Sequence, residues 1–145
     1  MASIVEPYDS NAVNGSVAWF PDAGSSAFAA GDLVYLASGQ LTVYASDGTL
    51  ILGIALTKQS AVANTVLPVL VIRPGEKYIM TPSTTAVQGT HVGNSYGLVG
   101  TTTANTVDLS DTTNDRVIVR EILADGRVVV TFRELNLQFG GHVND

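Results

Sequence analysis

Gly93-Asn94-Ser95-Tyr96-Gly97 spells out a recognisable catalytic pattern. G-x-S-x-G marks the nucleophile elbow, a strained strand-to-helix turn that lifts a serine toward a histidine and an oxyanion hole. Aspartates and then His142 follow in hydrolase order. The elbow needs a helix directly after the serine, and Leu98-Val99-Gly100-Thr101 is a poor helix start. The chain is also small for the fold that carries this motif, so a glycine-bounded β-turn is the expectation. Asp108, Asp111, Asn114 and Asp115 could gather oxygens around Ca²⁺, but their spacing is not that of an EF-hand and the central glycine is missing. Asp and Asn also form ordinary turns by bonding their own backbone. His91 and His142 stand apart from each other and from carboxylates, which suits surface positions better than a zinc site or general base. Asn14-Gly15-Ser16 has the form of a glycosylation acceptor and, with no signal peptide in view, reads as a turn. There is no Walker loop, no G-x-G-x-x-G and no cysteine. The residues thus lead to a non-enzyme, with no catalytic group, cofactor or metal assigned.

Composition narrows the partners. The chain has 145 residues, the size of one domain, and 46% of them are hydrophobic, ample for a core. Only 14% are charged, against roughly a quarter in an average domain. A surface so poor in charge favours buried contacts with other subunits. The net charge is −6, and the seven basic residues form no run. Nucleic-acid binding draws on clustered Lys and Arg, so direct DNA or RNA binding is not expected, nor is attachment to an anionic membrane. No apolar stretch approaches a membrane span, and the first nine residues lack a signal peptide's pattern. Synthesis as a soluble chain in the cytosol is the expectation.

The elements that would position any site are strands. Residues 1–31 read as an irregular N-terminal arm, 32–135 as a β-domain and 136–145 as a C-terminal tail. The arm is unusual in carrying Ile4, Val5, Tyr8, Trp19, Phe20 and Phe28, a density of large apolar groups foreign to flexible linkers. Either the body of the chain or a neighbour must cover them. Val5, Tyr8, Trp19 and Phe20 are accordingly candidate interface residues, since Trp and Tyr dominate interface energetics when they lie between chains.

From Asp32 the pattern sharpens. Turn signals at Gly39-Gln40 and Asp47-Gly48 predict a three-stranded meander over Leu33–Leu56. Its alternation puts Val34, Leu36, Val43, Ala45, Leu50 and Leu52 on one face and Tyr35, Tyr44 and Ile51 on the other. Val66–Ile72 is a continuous apolar run, as in a strand covered on both faces, with Pro68 expected at an edge or bulge. A second hairpin over Arg116–Leu135 turns at Asp125-Gly126, pairing Val119 with Phe132 and setting Glu121 opposite Val130. Glu121 is then either an acid at a bulge or strand end reaching water, or half of an inter-subunit ion pair with Arg73 or Arg120. No segment sustains helical periodicity. The fold class is therefore all-β: a small β-barrel or sandwich with an extended N-terminal arm.

Gly31-Asp32-Leu33-Val34-Tyr35-Leu36, Leu52-Gly53-Ile54-Ala55-Leu56, Val69-Leu70-Val71-Ile72-Arg73-Pro74-Gly75 and the closing hairpin Arg127–Arg133 together resemble the capsid decoration (cement) proteins of tailed bacteriophages. The resemblance spans roughly residues 30–135. It implies a structural protein that assembles, commonly as a homotrimer, on the outer capsid surface of the virion. There it would bind the major capsid protein and stabilise the head against internal DNA pressure. The family has no catalytic residues to carry over. A second class is a carbohydrate- or receptor-binding β-module, in which Tyr35 and Tyr44 would form a sugar-stacking platform; the third is a small hydrolase using Ser95 and His142.

Overall fold

The computed structural model describes residues 3–8 and 17–138. Asn14-Gly15-Ser16 and His142 lie outside the described residues. Eleven strands form in chain order: β1 (Glu6–Pro7), β2 (Val17–Pro21), β3 (Leu33–Ala37), β4 (Gln40–Val43), β5 (Gly53–Ala55), β6 (Val66–Val71), β7 (Tyr78–Pro82), β8 (Ser95–Val99), β9 (Thr106–Asp108), β10 (Val117–Ile122) and β11 (Val128–Phe132). A one-turn helix, α1 (Gln88–His91), and a short 3₁₀ turn at Glu134–Asn136 are the helical pieces among the described residues. The all-β expectation holds.

The strands divide into two sheets. One runs β1-β7-β11-β10-β8-β9, and a parallel pairing of Thr81–Pro82 with Thr106–Val107 joins β9 back to β7. Five strands thereby close into a small barrel, which leaves no ladder edge between them. The second sheet has the order β2-β6-β5-β3-β4, and its ends approach through a bridge between Asp22 and Leu41. The larger core fills the barrel with Tyr78, Met80, Tyr96, Leu98, Val117, Val119, Val128, Val130 and Phe132 and continues onto Leu33, Ile54, Leu70 and Ile72 of the second sheet. A smaller core lies on that sheet's other side, around Phe28, Val34, Leu41, Leu52, Ala55, Val69 and Val71. The second half of the apolar run, Val69–Ile72, is thus covered on both faces, while Val66 at its start stays exposed.

Several expectations are corrected. The β3–β4 turn is Ser38-Gly39, both at positive φ (51° and 81°), so Leu36 faces Leu41 rather than Val43. The slip is two residues, which keeps every side chain on its expected face. The meander ends there. Beyond β4 the chain leaves the sheet: Ile51 bridges Leu137, the amide of Asp47 donates to Leu98, and β5 returns on the far side of β3. Burying Tyr44 and Ile51 completely in the barrel core outweighs the local hairpin at Asp47-Gly48. Pro68 sits in β6, between β2 and β5, not on an edge. Its carbonyl accepts from Leu56 just past the end of β5, so its missing N–H falls where the ladder stops.

The closing hairpin turns through Ala124-Asp125-Gly126, with Gly126 at φ 92° and the amide of Leu123 bonded to the carbonyl of Arg127. This three-residue loop with a left-handed glycine replaces the expected two-residue turn. A register shift between Val119 and Glu121 then pairs Glu121 with Val129. The bulge turns Glu121 out to solvent and restores Val117 and Val119 to the core.

Within residues 1–31, no strand was expected and two occur. Residues 3–8 lie along β7 and the 103–105 loop, with Ser3 bridging Ala104 and Val5 only 2% exposed in the larger core. A buried polar knot fastens them. The Asp32 carboxylate, fully buried, accepts from the amides of Ala29 (2.8 Å) and Thr103 (2.9 Å) and from Asn105 Nδ2 (2.8 Å). That same Asn105 nitrogen also donates to the Ser3 carbonyl, while its Oδ1 accepts from the Leu33 amide. The expected tail likewise starts inside the fold, since Leu137 is buried and Gln138 exchanges two hydrogen bonds with the backbone of Leu36.

Candidate protein-docking surface

Strand alternation separates the two aromatic residues of the Trp19-Phe20 pair. Ala18 and Phe20 pack against the smaller core, while Val17 and Trp19 point outward, Trp19 at 63% exposure. Trp19 stands beside Pro68 in the β2–β6 register, and Leu56 beside Pro68 in turn. Val66, paired with Pro21, extends this row toward the β5–β6 loop, where Val62 is 62% exposed. The outward groups form an exposed apolar row, and a monomer's largest apolar patch is often functional.

Charge is sparse in the same half. Between Val17 and Ile72 the only charged residues are Asp22, Asp32, Asp47 and Lys58, and the first two are fully buried. Depletion of charge together with an outward Trp is the composition of an interface core. The barrel half carries the charges instead, among them the Glu6–Arg127–Asp125 cluster at 2.8 Å and the Arg133–Asp115 pair at 3.6 Å.

The β5–β6 loop is held rigidly. Buried Asp22 accepts from the Gly24 amide (3.0 Å) and from both the amide (2.6 Å) and hydroxyl (2.7 Å) of Ser60. Its backbone bonds Thr65 and Asn64. Burial alone would raise the Asp22 pKa, but these donors more than offset it and hold it below the usual value. Ala61 and Asn64 adopt positive φ (65° and 68°), and an alanine there is strained. The clamp keeps Val62 presented at the tip.

At the other end of the second sheet, beside β3, lies a cleft of about 130 Å³ lined by Tyr35, Tyr44, Ala45, Gly48, Thr49 and Leu50. Small-molecule sites span roughly 300–1,000 Å³, so this recess fits one side chain rather than a ligand. Tyr44 is fully buried with its hydroxyl donated to Gly48, and burial pushes its pKa up to about 12. The expected Tyr35–Tyr44 sugar platform is therefore not formed. At the cleft's edge Asp47 approaches Asp111 above Gly97, and Arg116 bonds the carbonyls of Asp47 and Gly48. Burial and the neighbouring Asp111 carboxylate raise the Asp47 pKa; bonds from the amide and side chain of Asn114 hold Asp111 down at about 2.

The remaining expected residues are dispersed. Val5 is core, which removes it as a contact residue; Tyr8 is 43% exposed beside β7, bonded to the Lys77 carbonyl. Arg120 and Glu121 are exposed on β10, and Arg120 donates to Thr131 at 3.0 Å within the chain. Ser95 begins strand β8, paired with Ile118, and α1 precedes it, so no elbow forms. His91 Nδ1 is occupied by the Val87 amide. Asp108 and Asp111 spend their oxygens on Ser110, Thr113 and Asn114 as local turns, and no cluster of three potential ligands exists among the described residues. Leu56, Val62 and Val66 were not singled out in the sequence, although the charge-poor stretch around them, with Lys58 alone, was visible there. Compared with known proteins, the chain matches no family model and no curated protein.

Proposed function

We propose that this chain is a capsid decoration protein of a tailed bacteriophage, docking on the outer surface of the head through its charge-poor half. The observation that carries the reading is the outward row Val17, Trp19, Pro68 and Leu56 on a half whose exposed charges are Asp47 and Lys58. Such a face gains by leaving water and gives up little ion solvation in doing so. The opposite half is charged and suits solvent on a shell exterior. Its small, closed barrel and double core fit a passive staple, and the resemblance of residues 30–135 to cement proteins supports the same reading. The major capsid protein and further copies of this chain, as a homotrimer, are the proposed partners.

Mixing the chain with expanded heads assembled without it tests the reading. Binding should saturate at a fixed number of copies per head and should weaken at least tenfold for Trp19→Ser. A chain that never co-sediments with such heads would refute it.

A further inference from the structure

We infer that the outer edge of strand β2 takes on an extended strand of the shell protein, paired through the backbone of Val17 and Trp19. The inference rests on the docking reading proposed above and names how the shell would grip the chain.

The register shows which backbone groups of β2 are left over. The carbonyl of Pro68 accepts from the Leu56 amide, so it points toward β5. Within a strand the N–H and C=O of one residue point the same way, and successive residues alternate. Pro68 therefore bonds nothing in β2. Trp19, its partner across the β2–β6 pair, accordingly turns its own N–H and C=O away from β6. Val17, two residues earlier, does the same, while Ala18 and Phe20 face Val69 and Leu67 and bond to them. The N–H and C=O groups of Val17 and Trp19 thus line the outer edge, with no backbone hydrogen bond to another element among the described residues. Both residues are exposed.

An open edge is normally guarded by a charge, a proline, a bulge or a covering segment. The other edges here are guarded. Residues 22–26 cover β4, with the Ala23 amide donating to the Leu41 carbonyl and the Val43 amide to Ser26 Oγ. β1 is two residues long and ends in Pro7, and the barrel closes through β7 and β9. Among the described residues nothing guards Val17–Trp19. No charge lies on β2, and its proline comes only at the end, where Asp22 bridges Leu41. A row of ladder groups is satisfied by another backbone, so the occupant is an extended segment rather than a helix or a small molecule. Its place suits the shell. An added strand continues the sheet in plane, so alternate side chains stand beside Val17 and Trp19 on the outward face assigned to the head. Those side chains should be uncharged, to match the row they extend. The β2 of a second copy would instead pair edge to edge about a two-fold axis, which does not generate the proposed trimer.

Hydrogen exchange on expanded heads assembled without the chain tests the pairing, read amide by amide by NMR after release. In the isolated chain the Val17 and Trp19 amides should exchange at least tenfold faster than those of Ala18 and Phe20. Head binding should then slow the Val17 and Trp19 amides at least tenfold. Val17→Pro removes one outward N–H and leaves the β2–β6 bonds whole, so it should keep the melting temperature and weaken head binding at least tenfold. Val17→Ala, which keeps the N–H, should weaken it less than threefold. If Val17→Pro lowers the melting temperature, the exchange measurement decides alone. Equal losses from the two folded variants, or amides that stay fast on the head, would overturn the inference and leave the shell reading standing. Isolated chains that dimerise with both amides slowed would give the edge to a second copy and overturn it as well. A wild type that never binds heads would refute the shell reading itself.

Discussion

Replacing Asp32 with alanine removes a carboxylate that no water reaches, and the consequence can be worked from its partners. Three donors lose their acceptor at once: the part-buried amides of Ala29 and Thr103 and the buried side chain of Asn105. Hydrogen bonds to a charged group contribute about 1.5–3 kcal/mol each, and stranded buried donors keep their desolvation cost. Part of this is recovered because the unfolded carboxylate is well solvated and the cavity can admit water. The net loss should be about 3–5 kcal/mol, a large share of a typical domain's stability. With a urea m-value of about 2 kcal/mol/M, the unfolding midpoint should fall by roughly 1.5–2.5 M. Asn105→Ala should couple to it by more than about 1 kcal/mol in a double-mutant cycle, since the two side chains share one bond. A midpoint drop below about 0.5 M, or additive effects, would refute the claim that this knot ties residues 3–8 to the barrel.

Other substitutions separate face from core. Trp19→Ser should change the stability of the isolated chain by less than about 0.5 kcal/mol, whereas Phe20→Ala, one residue on, should cost about 2–3 kcal/mol in the same urea titration. Asp22 and Asp111 have lowered pKa values, so the stability they lend is complete above the ordinary carboxylate value and is lost as pH falls through their folded values, near 2 for Asp111. Melting curves between pH 6 and pH 2 should therefore flatten in Asp22→Asn. Asp47 has the opposite sign: its raised pKa means that the folded state loses stability as pH rises through it. Asp47→Asn should raise the melting temperature at pH 7, and the electrostatic part of the gain should vanish in acid, leaving what asparagine's tolerance for φ 60° contributes.

Faces were easier to read in the sequence than neighbours. The alternation around Ser38-Gly39 fixes which side chains of β3 and β4 point inward, and a two-residue slip leaves that unchanged. The destination of the segment after Tyr44 depends instead on Leu98, Asn136 and Leu137, which lie 40 residues or more away and leave no local trace. The same holds for residues 1–31. β1 has two residues and β2 five, and each is held by a strand about 50 or more residues distant. Glu121 shows a partial success: an acid on an apolar register signals a bulge, and the bulge is present. The proposed docking half was legible as a shortage of charge and an excess of large apolar groups near the start. Its outward row was not, because Trp19, Pro68 and Leu56 meet only when β2, β6 and β5 lie side by side.

The most direct measurement is a density map of the expanded head, with and without this chain. The account predicts added density on the outer surface only, with β2, β6 and the Val17–Trp19 row against the capsid and the Arg127 and Arg133 side of the barrel toward solvent. Identical maps, or a barrel lying charged side down, would contradict it.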